Sequence, residues 1–311
     1  LPGGGFGLGY SAVNTVGNHI QRLPVAAMPQ GKNDVKTFIP VARIADMLLH
    51  PGDEFDYDGG RYRYPDIKMI YWAGGNPFHH HQDLTRLLAG WRKPDTIIAH
   101  EWCWNALAKH ADIILPCTTS LERTDIAMSP MDNYFVSMQA AIAPVGDARD
   151  DYEIFRGIAA KMGAENAFTE GRSAEDWQRW LYDVTKQASA EQGHELPSYD
   201  AFRKDGWFKL PPPATAHVMF ADFRADPVAN PLATPSGKIE IFSQTIAGFD
   251  YDDCAPHPCW FVPPEWLGSP DRGSRLHLLG NQPTARLHSQ LDHGSISRDA
   301  KIAGHEPVKI N

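Results

Sequence analysis

The sequence lacks a basic excess. Among its 311 residues, 38 Asp and Glu outnumber 29 Lys and Arg, and the net charge is −9. That argues against nucleic acid as the main partner, because a phosphate backbone is met by clustered Lys and Arg. Long hydrophobic runs are missing too. None approaches the roughly 20 apolar residues that cross a bilayer as a helix, so no membrane span is expected. Cysteine is scarce: Cys103, Cys117, Cys254 and Cys259 are too few and too scattered for a disulfide framework. There is no G-x-G-x-x-G after the first clear strand, which makes a standard dinucleotide dehydrogenase a poor fit. No Ser–His–Asp or Cys–His arrangement stands in a recognisable context, so no catalytic nucleophile is assigned. Neither a starting Met nor a signal peptide is present. With LPGGGFGLGY at one end and EPVKIN at the other, the chain reads as a piece of something longer.

What is present is ordinary in bulk, 42% hydrophobic and 22% charged, and long enough for two domains and a sizeable core. The most informative stretch is Asp66 to Asp83, DIKMIYWAGGNPFHHHQD. Ile67, Met69, Ile70, Tyr71 and Trp72 read as a short strand buried on both faces. Gly74 and Gly75 allow close approach of the backbone to a ligand, and Pro77 opens a helix whose Leu84, Leu87, Leu88 and Trp91 share one face. Free N–H groups at such a turn suit an anion. The plainer alternative is a tight βα turn with nothing bound. TIIA at 96–99 reads as a second strand ending at His100 and Glu101, Trp104 to Ala111 as a short helix, and Ile113 to Leu115 as a third strand. Strands alternating with helices imply parallel βαβ units, with ligands beyond the carboxyl ends of the strands. Glu101 is then placed to accept from ribose hydroxyls.

Before these strands, Val41 to Leu49 has helical spacing and FDYDGGRYRYP is a hairpin signal. After them, Arg123 in Glu122-Arg123-Asp125 is either a forked donor to phosphate or guanine, or half of a surface ion pair. Asp151 stands at a helix start, most simply as a cap. Ser173 with Asp176 resembles a capping box. Lys238 to Ser243 (KIEIFS) and Arg275 to Gly280 (RLHLLG) read as strands. His79, His80 and His81 invite a metal, but adjacent helical residues diverge by about 100°. Only His79 with Asp83 has ligand spacing, and Cys254, His257 and Cys259 do not match a zinc finger, so no metal ligand is assigned. One of the histidines donating to a phosphate is the better reading.

YWAGGNPFHHHQDLTRL, followed by IIAHEWCWNALAKHADIILPCTTSLERTDI, resembles the molybdopterin guanine dinucleotide oxidoreductases, within them the dimethyl sulfoxide, trimethylamine N-oxide and biotin sulfoxide reductase group. ARDDYEIF, FTEGR, TPSGKIEIFS and RLHLLGNQPTARLHSQLDHG resemble the same group in the same order, so the likeness covers essentially the whole chain. It implies an enzyme that reduces S-oxides or N-oxides by oxygen-atom transfer on a Mo-bis(molybdopterin guanine dinucleotide) cofactor. This segment would hold one guanosine arm.

By the same resemblance Gly75, Asn76 and His80 meet the phosphates or pterin-side linker, and His100 and Glu101 the ribose and base. Arg123 meets base or phosphate, and Asp151 the guanine. The loop with Asn281, Gln282, Pro283, Arg286, Leu287, His288 and Gln290 touches a pterin. The implied fold is α/β, a parallel sheet with flanking helices (Rossmann-like) followed by the beginning of a β-barrel. The implied division is 1–35 lead-in, 36–205 cofactor domain, 206–270 connector and 271–311 barrel start. The expected partners are the cofactor, the remaining domains of the same enzyme and a small oxide substrate.

The family's metal-holding side chain, commonly a serine, lies in an earlier domain outside this sequence, so the segment alone is expected to be inactive. Cys103 and Cys117 depart from the small or aromatic residues expected at their positions. The compartment, periplasmic or cytoplasmic, is left open. Two other readings stand beside this one: a self-contained α/β nucleotide-binding module with a ligand free of molybdenum, and an interaction domain whose Gly and His loops are only turns.

Overall fold

A computed structural model describes residues 23–128, 133–215, 218, 220–263, 266–269, 276, 279–280, 283–286 and 290–310. The chain divides into two compact units. One comprises Thr37–Ile114 with Glu240–Asn311, the other Leu1–Lys36 with Leu115–Ile239.

The unit that begins at Thr37 opens with a 3-10 turn, Val41–Arg43, that runs into α1, Ile44–Leu49. The hairpin β1, Glu54–Tyr57, and β2, Gly60–Arg63, turns at Asp58 and Gly59, both left-handed (φ 48° and 73°). Asp-Gly is the pair such a turn favours, because its central residues need positive φ. β3, Met69–Ala73, leads through Gly74–Asn76 into α2, Pro77–His80, and then α3, Leu84–Trp91. β4, Thr96–Glu101, pairs with β3 in parallel, Ala73 opposite His100. β5, Ile113–Pro116, completes the sheet, in the order β3-β4-β5. The core sits between sheet and helices, with Leu87 and Ala99 wholly enclosed and Phe78, Trp91 and Ile97 around them. Each such large side chain contributes roughly 1.5–3 kcal/mol by leaving water.

Beyond Leu115, β6, Asp125–Met128, and β7, Tyr134–Met138, form an antiparallel pair. Helices α4, Asp151–Lys161, α5, Glu165–Thr169, α6, Ala174–Glu191, and α7, Tyr199–Asp205, follow. β8, Trp207–Lys209, lies inside the stretch read as a connector and joins the far side of β7. Tyr182, Tyr199, Phe202 and Phe135 make this unit's aromatic core. The capping box is present: Ser173 Oγ accepts from the Asp176 N–H at 3.2 Å, and Asp176 Oδ2 accepts from the Ser173 N–H at 3.0 Å. The short helices α8, Ala221–Ala225, α9, Gln244–Ala247, and α10, Ser295–Asp299, complete the described elements.

The α/β class with a parallel sheet is as expected, and several local expectations are corrected. β3 is an edge strand, so Met69 and Tyr71 are exposed rather than buried on both faces. Trp104–Ala111 is irregular apart from a 3-10 turn at Ala108–His110. There the Asn105 side chain accepts from the Ala108 N–H at 3.0 Å, and the chain turns back so that Asp112 accepts from the Ile97 N–H at 2.8 Å. KIEIFS alternates like a strand but finds no ladder, leaving Ile239 and Ile241 bare; alternation makes a strand only where a neighbour completes its hydrogen bonds. No closed barrel occurs among the described residues. The expected strand at 275–280 falls largely outside them. Nor is any described helix long and apolar enough to cross a membrane.

Candidate functional site

The turn after β3 is the centre of the candidate site. Gly74 and Gly75 both have positive φ, 83° and 72°, a conformation that Cβ-bearing residues adopt only at a cost. A Cβ on Gly74 would meet nothing within 4 Å, and one on Gly75 only the Trp72 indole nitrogen at 4.0 Å, so the turn has open space beside its backbone. Asn76 is 6% exposed and its Oδ1 accepts from the Phe78 N–H at 3.0 Å, capping α2. The sequence suggested a helix dipole behind this turn; α2 is a single turn, with α3 beginning separately after Asp83, so backbone and side-chain donors carry the polarity instead.

Those donors are incompletely used. Buried polar atoms without a hydrogen-bond partner include Trp72 Nε1, Asn76 Nδ2 and His81 Nε2, all within ten residues of this turn. A buried polar atom left unpaired costs about 1–3 kcal/mol, a cost that an acceptor reaching Trp72 Nε1 and Asn76 Nδ2 would remove. Phe78 holds it in place, packed edge-on against Trp91 (5.5 Å) and stacked on His110 (4.8 Å). The His80 Nδ1–H donates to the Asn76 carbonyl at 3.0 Å. In the neutral ring that leaves Nε2 as an acceptor, and Gln290 Nε2 approaches it at 3.4 Å. Burial, with His80 alongside, holds the His81 imidazole below its ordinary range.

At the neighbouring strand tip, His100 is 2% and Glu101 6% exposed. His100 Nε2 and Tyr71 Oη share a hydrogen bond at 2.6 Å. Burial pushes the Glu101 carboxyl above the usual range, against the opposing pull of hydrogen bonds from the Asn105 side chain and the Trp102 backbone. Among the described residues no Lys or Arg pairs with Glu101, and a buried carboxylate so placed suits neutral hydroxyl donors.

Of the residues singled out from the sequence, the first unit thus contains Gly75, Asn76, His80, His100, Glu101, Pro283, Arg286 and Gln290. Arg286 is engaged with Glu306 at 2.8 Å and with Asp292 at 3.6 Å. Asn281, Gln282, Leu287 and His288 lie outside the described residues. Arg123 and Asp151 belong to the second unit. There Arg123 Nη1 donates to the Thr118 carbonyl at 3.1 Å, and its Nε stands 3.5 Å from Asp125. The cap position of α4 is Asp150 rather than Asp151, and the Asp150 carboxylate accepts from the Thr118 hydroxyl at 2.6 Å instead of capping. Glu122, kept below the usual range by the Thr119 and Val145 N–H groups, ties the loop together. Sequence reasoning missed Tyr71, Trp72, Asn105 and Thr118. For Tyr71 a signal existed, since a tyrosine one strand over from a strand-end histidine reaches it across a parallel pair.

Residues 6–161, half of the chain, match the molybdopterin oxidoreductase family. The chain belongs to that family. Over its whole length it is 44% identical to the biotin sulfoxide reductase of Cereibacter sphaeroides, covering 42% of that protein. To the dimethyl sulfoxide/trimethylamine N-oxide reductase of the same organism it is 42% identical, covering 39%. Among solved structures it is similar to the acetylene hydratase of Pelobacter acetylenicus, with a TM-score of 0.43 and 21% identity over 64% of this chain and 24% of that one. The chain spans about two fifths of the length of the curated relatives it matches.

Family membership implies a molybdopterin. The residues of the β3 and β4 tips fit its polar arm, with an open glycine turn, two unpartnered buried donors at Trp72 and Asn76, and a buried acid.

Proposed function

We propose that this chain is the part of a molybdenum-dependent S-oxide or N-oxide reductase that holds one guanosine arm of a bis(molybdopterin guanine dinucleotide) cofactor. The observation that carries the proposal is the pair of buried, unpartnered donors, Trp72 Nε1 and Asn76 Nδ2, beside a glycine turn at a parallel-sheet strand tip. A diphosphate supplies the acceptors that such donors lack. In this reading Gly75 admits the phosphates and Asn76 donates to them. His80 fixes the turn through the Asn76 carbonyl and carries an acceptor face toward Gln290. Glu101 accepts from the ribose hydroxyls, held by Asn105, while Tyr71 sets the ring of His100 beside it. In the same reading Arg123 is assigned to base or phosphate, Asp151 to the guanine, and the loop of Asn281, Gln282, Pro283, Arg286, His288 and Gln290 to a pterin.

The bound group supplies two-electron oxygen-atom exchange. Reduction of a sulfoxide to its sulfide consumes two electrons and two protons and yields water. This chain's residues contribute binding and orientation to that reaction. The finer fold assignment belongs to the same proposal: residues 36–205 as a Rossmann-like cofactor domain, 206–270 as a connector and 271–311 as the beginning of a barrel. The remaining domains of the enzyme are the proposed cover for bare apolar residues such as Trp260 and Ile241.

The test is elemental and chemical analysis of the protein purified from cells supplied with molybdate. Molybdenum, with two guanylates released per metal on acid hydrolysis, is the expected result. Protein that carries neither would overturn the proposal.

A further inference from the structure

Gln290 is the described residue through which the loop after Pro283 reaches the β3–α2 turn. Among the described residues on either side of Gln290, Arg286, Asp292, Lys301 and Glu306 form a square of four charges. Arg286, with its side chain 9% exposed, places Nη2 2.8 Å from Glu306 and Nε 3.6 Å from Asp292. Lys301, 13% exposed, donates to Asp292 at 2.8 Å and stands 3.8 Å from Glu306. Each cation therefore faces both acids.

The backbone explains why the square forms. Lys301 and Glu306 flank a two-residue turn, Ala303 and Gly304, with φ of 51° and 78°. It is closed by Ile302 N–H to His305 O and His305 N–H to Ile302 O, both 3.0 Å. Positive φ at both central residues is the tight hairpin geometry that sets flanking side chains together. Asp292 comes in from the other side after a left-handed Leu291, φ 54°, whose carbonyl accepts from the Gly294 N–H at 2.8 Å. Hydrogen bonding to Lys301 holds the Asp292 carboxyl below the usual range. Arg286 and Lys301 are enclosed while Asp292 and Glu306 are 49% exposed, so removing an acid leaves an enclosed cation short of a partner.

We propose that Lys301 and Glu306 are positioning residues of the cofactor site, clamping Arg286 with Asp292 so that the loop presents Gln290 to His80. The inference rests on the reading of the β3–α2 turn as the site of the guanosine arm. It changes the part assigned to Arg286, whose guanidinium is committed to Glu306 and which acts by placing the loop.

The experiment uses the protein purified with its cofactor, and Lys301→Met, Glu306→Gln and Lys301→Arg variants. Glu306→Gln keeps the shape and removes only charge; Lys301→Arg keeps the charge. Two quantities are read: the rate at which bound guanylate is lost on dilution, and deuterium uptake in the peptide covering 283–290. Loosening a supporting contact typically weakens a site about tenfold. Lys301→Met and Glu306→Gln are expected to lose guanylate about tenfold faster and to raise uptake at 283–290, while Lys301→Arg stays within about twofold of the parent. Parent-like guanylate loss in Lys301→Met and Glu306→Gln overturns the clamp, whatever the loop exchange does. Parent protein that carries no guanylate at all overturns the reading of the site itself, a separate and distinguishable failure.

Discussion

Asn76 uses the two ends of its amide differently. Its oxygen caps Phe78 and its nitrogen is buried without a partner. The two roles separate by substitution. Asn76→Asp keeps the capping oxygen, so thermal stability is expected to hold, while removal of the donor and a new negative charge weaken guanosine diphosphate binding by tenfold or more, about 1.4 kcal/mol or above. Asn76→Ala loses the cap as well and is expected to cost about 1 kcal/mol of stability in addition. Calorimetric titration and thermal melts read the two effects.

Glu101 gives a prediction with a sign. Burial raises its carboxyl above the unfolded value, so the folded state binds that proton more tightly. Its favourable contribution is complete below the unfolded pKa and is lost as pH rises through the folded one. Glu101→Gln should therefore be more stable than the parent protein in urea at neutral pH. The gap should close as the pH falls to about 4, near the ordinary glutamate value. The same variant should bind guanosine diphosphate more weakly at neutral pH. That Asn76 closes the glycine turn and that His100 and Glu101 end β4 was legible from turn residues and a short apolar run, whereas the cofactor roles of Asn76, His80 and His100 came from the family resemblance. The contact of Tyr71 with His100 follows from the parallel register, and that of Asn105 from a turn with no periodic pattern.

At the scale of elements, β3, β4 and β5 were legible from short apolar runs ending in turn residues, and α6 from Ser173 and Asp176. What failed has a common cause. The helix expected at Trp104–Ala111 and the strand expected at KIEIFS were judged on spacing alone, and spacing does not say whether a partner completes the hydrogen bonds. For the first, Asn105 and Asp112 redirect the backbone; the second has no neighbouring strand among the described residues. β3 looked doubly buried because its residues are apolar, yet it lies at the sheet edge. The α6 cap offers a control. Ser173→Ala is expected to cost about 1 kcal/mol in urea unfolding and to leave guanosine diphosphate binding unchanged.

At the scale of the whole molecule, the chain carries a net charge of −9 and spans about two fifths of the length of the relatives it matches. Large apolar side chains stay bare, among them Val228 at 90% and Trp260 at 79% exposure. Binding of the polar arm, by contrast, is proposed for residues on this chain alone, and is testable on it. The most direct measurement is hydrogen–deuterium exchange of the purified, cofactor-stripped protein with and without guanosine diphosphate. Slowed exchange confined to the peptides covering 71–83 and 98–106, and absent in Asn76→Asp, is the predicted result. Protection elsewhere with none at these two strand tips would contradict the account.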